Sequence, residues 1–123
     1  MSFESDLYSK LVAAAGLNAI VGSRISPSHD EKPSSPYVVY TTVFGEAFYS
    51  LAGASTQTRT RVQIDCYAED PDTAADIARE VISAIPESGA LHRASHSNHD
   101  LGREVETSLY RRMVEMSIFH RSS

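Results

Sequence analysis

The sequence has one cysteine, Cys66, and only two lysines, Lys10 and Lys32. A lone cysteine excludes an intrachain disulfide. Set in an apolar strand face, it reads as a small core hydrophobe of a reducing compartment. A catalytic thiolate needs a nearby histidine or helix N-terminus and access to solvent, which sets that reading aside. Basic charge is also short, with 11 Lys and Arg against 16 Asp and Glu and a net charge of −5. A free-standing sequence-specific nucleic-acid binder usually shows a basic face, so that class loses weight. No apolar run approaches the roughly 20 residues of a membrane span. The acidic start, residues 1–6, has neither the basic nor the apolar region of a signal peptide, so residence in the cytosol of synthesis is expected. Gly45 and Gly53 are not followed by the Lys-Ser or Lys-Thr of a phosphate loop. No Gly-x-Ser-x-Gly elbow is present. The sequence offers no argument for an enzyme, and no cofactor is expected.

What is present is an ordinary globular composition on a chain of 123 residues, read as one domain over 1–123. Its organising stretch is residues 60–68. Thr60, Val62, Ile64, Cys66 and Ala68 face one way, and Arg61, Gln63, Asp65 and Tyr67 the other, the period of a half-buried strand. An amphipathic helix follows at once. Asp70 is placed as N-cap, Pro71 as first helical residue, and Asp72 complements the dipole. Ala74, Ile77, Ala78, Val81, Ile82 and Ile85 make its buried stripe, and Pro86 stops it.

Before this unit, Phe3, Leu7, Tyr8, Leu11, Val12 and Ala15 share one helical stripe, with Gly16 placed as a left-handed C-terminal cap. A short apolar turn, residues 17–21, ends at Gly22. Residues 26–36 hold three prolines and four serines and read as a loop. Residues 37–44 are β-branched and aromatic on both faces, which predicts a strand covered by a helix on one side and another subunit on the other. Residues 45–58 read as an irregular loop whose Phe48, Tyr49 and Leu51 need an apolar surface, in their own core or on a neighbouring chain. Residues 90–94 suggest a short strand, residues 95–100 a turn, and residues 104–121 a long final strand. In that strand Tyr110, Val114, Met116 and Ile118 face the core, and Arg112 interrupts the apolar face near its start. The expected fold is therefore α+β: an antiparallel or mixed sheet of about four strands with two main helices on one face, in the order α-β-β-α-β-β.

Two clusters invite chemistry. His92, His96 and His99 could hold zinc with an open position. However, no regular element fixes their geometry and no further ligand completes a pattern, so a solvated polar turn is the favoured reading. Glu69, Asp70 and Asp72 are explained by helix capping. Asp65 is placed to pair with an arginine of an adjacent strand or subunit. Arginine is favoured over lysine in protein interfaces, and the nine arginines here are a weak hint toward a protein partner.

In order along the chain, Ser2-Phe3-Glu4-Ser5-Asp6-Leu7-Tyr8, Pro36-Tyr37-Val38-Val39-Tyr40, Tyr49-Ser50-Leu51-Ala52-Gly53, Arg61-Val62-Gln63-Ile64-Asp65-Cys66-Tyr67-Ala68 with its alanine-rich helix, and Tyr110-Arg111-Arg112-Met113-Val114-Glu115-Met116-Ser117-Ile118 follow one another. This ordered set resembles the tail-completion proteins of long-tailed phages and prophages, the tail terminator or tail-to-head joining family. Residues 91–100 depart from it, and nothing is carried over there.

The resemblance implies a structural rather than a catalytic role. The expected product is a homohexameric ring at the head-proximal end of the virion tail, made in the bacterial host cytoplasm. Its expected partners are the tail tube protein and the head-tail connector protein, with no membrane. DNA would pass through the lumen without specific binding, and an acidic chain suits such a channel. Phe48, Tyr49 and Leu51 are candidates for one apolar interface patch, with Arg59, Arg61, Arg111 and Arg112 around it. Alternatives are a small dimeric α+β ligand-binding or regulatory module, another head-tail connector or completion protein, and, far behind, a metal-dependent enzyme of the histidine turn.

Overall fold

A computed structural model describes residues 3–22, 24–27, 35–49, 56–87, 91–105 and 108–122. Among the described residues three helices and five strands follow in the order α1 (Phe3–Ala13), α2 (Ala15–Val21), β1 (Ile25–Ser26), β2 (Tyr37–Tyr49), β3 (Thr56–Ala68), α3 (Pro71–Ala84), β4 (Leu91–Arg103) and β5 (Tyr110–Ser122). The strands form one mixed sheet in the order β1-β2-β3-β5-β4. Only β1 and β2 are parallel, through Ile25 opposite Val38 and Ser26 opposite Val39. The α+β class stands. The expected four strands and two helices become five and three, because β1 adds an edge and the turn at residues 17–21 is a separate helix.

The stretch predicted to organise the chain does so: β3 lies between β2 and β5 and is paired along its length with β5. One sheet face is apolar. Val38, Tyr40, Val62, Ile64, Cys66, Val114, Met116 and Ile118 are buried there with Leu7, Leu11, Leu17, Val21, Ile77, Ala78 and Val81 from the helices and Ile85 just after α3. Helix α3 crosses β3 and β5, and α1 and α2 pack against α3.

The local signals of α3 act as expected. Asp70 accepts the Thr73 N–H through Oδ1 and the Thr73 hydroxyl through Oδ2, both at 2.8 Å. At the other end Ile85, which precedes Pro86, is extended with φ −98° and ψ 118°. Arg93 then ties the helix end to β4. Its N–H donates to the Pro86 carbonyl and its Nε to the Ile85 carbonyl, at 2.8 and 2.9 Å.

Gly16 is corrected. It lies inside α2, and the Glu80 carboxylate of α3 fills the place its side chain would take. The left-handed cap is Gly22, with φ +59°, and its N–H donates to the Asn18 carbonyl.

Three further readings change. β2 does not stop at residue 44 but continues to Tyr49, and β3 begins at Thr56, so residues 45–49 and 56–58 are ladder, not loop. A register shift between Thr42 and Phe44 breaks the alternation there. Residues 95–100 are not a turn but part of the long strand β4. The final strand starts at Tyr110, and residues 104, 105, 108 and 109 belong to the connection before it. Of the predicted loop 26–36, residues 28–34 lie outside the described residues.

Candidate functional site

The second face of the sheet carries no helix among the described residues, and Arg59, Arg61, Gln63 and Asp65 of β3 lie on it. One end of this face is closed by the chain's own side chains. Tyr37 and Tyr67 stack at 4.7 Å between ring centres, and both are buried with Val39 and the flanking Leu109. The cover expected from another subunit is here supplied within the chain for Tyr37 and Val39, while Thr41 and Val43 of the same strand are exposed.

Asp65 stands beside this cluster and is fully buried. Its Oδ1 accepts from Arg111 Nε at 3.0 Å and Nη2 at 2.9 Å, and its Oδ2 accepts from Gln63 Nε2 at 3.2 Å. The sequence reading placed this aspartate opposite an arginine, and the partner is on the adjacent strand. The Arg111 guanidinium also lies 5.9 Å from the centre of the Tyr67 ring and 3.7 Å from a Glu104 oxygen. Burial alone would lower its pKa, but the hydrogen bonds and charge of Asp65 outweigh that and raise it. Burial raises the Tyr67 and Tyr37 hydroxyls, so this end of the face holds one compensated ion pair and neutral phenols.

Toward the other end the face turns polar. Successive rows across β3, β5 and β4 are Gln63, Glu115 and Ser97, then Arg61, Ser117 and Ser95, then Arg59, Phe119 and His92. Arg61 is exposed, and Arg59, Glu115 and Phe119 are half-buried. His92 stacks on Phe119 at 5.6 Å.

The predicted interface residues therefore divide. Arg59 and Arg61 share this polar end. Arg111 is engaged with Asp65 at the closed end. Arg112 is on the helix side of the sheet, where it donates to Asn98 Oδ1 at 3.1 Å and lies 3.8 Å from Asp100, the polar contact expected of an arginine in that apolar row. Phe48 and Tyr49 are in the last turn of the β2 ladder, opposite Gln57 and Thr56. Leu51 lies outside the described residues.

The histidines belong to β4, and the strand separates them. His92 and His99 stand opposite Phe119 and Met113 on the helix-free face, and His96 stands opposite Met116 on the other. His96 contacts Arg93 and His99 contacts Ser97. Among the described residues no group of three His, Cys, Asp or Glu side chains converges on a metal position. Cys66 is buried in the core, and burial pushes its thiol far up from its ordinary range, the reverse of an activated nucleophile.

What sequence reasoning missed is the extent of β4, a 13-residue strand at the sheet edge of which only residues 90–94 were expected as strand. The available signal was negative: residues 91–101 contain neither proline nor glycine.

The sequence matches the family of tail completion protein gp17 over residues 5–121, and the chain belongs to that family. It is thus a structural protein of phage-tail morphogenesis and a component of the virion tail, in association with other virion proteins. No curated protein matches the sequence. Among solved structures, a chain in the virion of a native gene transfer agent particle is similar. The TM-score is 0.68 at 15% identity, over 98% of this chain and 96% of that one. At that identity the likeness is one of fold.

Proposed function

We propose that this protein is a ring-forming tail terminator. It caps the tail tube as a homohexamer, stops tube polymerisation and joins the tail to the head connector at the head-proximal end. The observation that carries this reading is the tail-completion match across nearly the whole chain, residues 5–121. The fold likeness to a virion chain, equally complete on both sides, supports it.

A cyclic assembly needs two different complementary patches on each subunit. The end of the β2–β3 hairpin, with Phe48, Tyr49 and Leu51, is proposed as one, with Arg59 and Arg61 supplying polar contacts beside it. Arg111 and Arg112 act behind them, holding the sheet that presents the patch. The net charge of −5 suits a lumen that passes DNA without trapping it.

The test is to incubate purified protein with tail tubes and image the tube ends. Capped tubes that no longer elongate are expected. Tubes that elongate unchanged, with no density at their ends, would contradict the proposal.

A further inference from the structure

The sheet has two open edges of different kinds. β4 is the last strand of the order and has a neighbour, β5, on one side only among the described residues. Its register with β5 shifts between Arg93 and Ser95 and between Asp100 and Arg103, and between those points Ser95 to Asp100 pair without a break. At the opposite side, β1 meets β2 only at Val38 and Val39. Beyond them β2 runs on to Tyr49, with β3 on one side and no second flanking strand among the described residues.

Long edges are usually blunted by lysine, proline or a covering element, because their backbone groups template another strand. Neither edge carries a lysine or proline, among the described residues no further strand covers either, and the register shifts interrupt each edge only locally. β4 reads LHRASHSNHDLGR, and residues 41–49 of β2 read TTVFGEAFY, without a lysine or proline in either. Residues 94–96 and 98–101 of β4 are exposed.

We infer that β4 of one copy pairs with the open half of β2 of the next copy, so that the sheets of the ring join edge to edge. This rests on the ring reading above. Strand direction favours it. β2, β3, β5 and β4 are each antiparallel to the next, so β4 runs opposite to β2 within one subunit. Rotation about a ring axis lying roughly along the strands preserves those directions, and the neighbours meet antiparallel, as in the rest of the sheet. The two edges are different surfaces, which is what a head-to-tail ring requires. Closing the ring removes both open edges at once. β1 blocks β2 at Val38 and Val39 and so confines the incoming strand to the half beyond. Pairing of β4 with β4 would instead give a two-fold dimer and leave β2 open.

Cysteine pairs test this. Thr42→Cys is combined in turn with Ser95→Cys, His96→Cys, Ser97→Cys, Asn98→Cys, His99→Cys and Asp100→Cys, a scan that covers the stagger between neighbours. Thermal melts confirm that each variant is folded. Within one chain the two strands are three sheet spacings apart, about 14 Å, beyond the roughly 7 Å limit of a disulfide. Mild oxidation of at least one pair is expected to give covalent species from dimer up to the full ring on a non-reducing gel. Each variant with one introduced cysteine beside the buried Cys66 stops at dimer. Rings visible by negative stain, with no pair giving species above dimer, would overturn edge pairing and leave the ring reading intact. A dimer by mass, locked by one β4 cysteine alone, would overturn both. Protein that forms no ring by itself is oxidised after docking on purified tail tubes, and absence of a ring there also contradicts both.

Discussion

Arg111 grips Asp65 diagonally across the helix-free face, with Nε and Nη2 donating to the same carboxylate oxygen at 3.0 and 2.9 Å. The aspartate is fully buried, and about a quarter of the arginine side chain remains exposed. Removing one partner of a buried pair leaves the other charge uncompensated, so the cost exceeds what the pair itself contributes. Arg111→Met is expected to lower stability by about 3 kcal/mol, read from the urea midpoint. Adding Asp65→Asn is expected to cost less than the sum of the single changes. Additive costs would show that the two residues act separately.

His120 predicts a pH dependence. Its Nε2 lies 3.0 Å from the buried Thr60 hydroxyl, and burial lowers its pKa against the opposing pull of Asp6. A histidine held below its unfolded value of about 6.5 binds fewer protons folded than unfolded. Its contribution is therefore full above that value and is lost as pH falls through the folded pKa. The melting temperature is expected to drop between about pH 7.5 and about pH 5.5, and His120→Gln is expected to flatten part of that drop. An equal drop in the variant would assign the dependence to other groups.

Gly22 ends α2 with φ +59° and ψ −128°, a conformation that side chains disfavour. Gly22→Ala is expected to destabilise by about 1–3 kcal/mol in denaturant unfolding. Gly16→Ala is the contrast. It meets only the end of the flexible Glu80 side chain, which can move aside, and is expected to cost less.

The hairpin end carries the prediction for assembly. Tyr49→Asp with Leu51→Asp is expected to abolish ring formation while the circular dichroism spectrum and melting temperature stay close to those of the parent. Normal rings from that variant would remove residues 49 and 51 from the interface.

The parts of the fold legible in sequence are those where one signal dominates. In residues 60–68 alternation is legible because one face meets α3, while Arg61, Gln63 and Asp65 on the other are polar and only Tyr67 joins an apolar cluster. Asp70 and Pro71 announce α3 because capping is a local, short-range interaction. Residues 95–100 of β4 read as a turn for a physical reason. An edge strand exposed on both faces needs no apolar period, and Ser95, His96, Ser97, Asn98, His99 and Asp100 are then judged by their turn preference alone. The continuation of β2 was hidden by the shift between Thr42 and Phe44 and by Gly45, which interrupt the alternation that marks a strand. A charge match of Asp65 with an arginine of an adjacent strand or subunit is legible, though not that the arginine is Arg111. The burial of Asp65 is not legible, because its environment is completed by Arg111, 46 residues away in sequence.

The most direct test of the central claim is the mass of the purified protein by light scattering across a concentration series, with negative-stain images of the same fractions before and after addition of tail tubes. Hexameric rings, free or seated on tube ends, are expected. A dimer whose mass does not change with concentration, and which leaves tube ends bare, would contradict that claim.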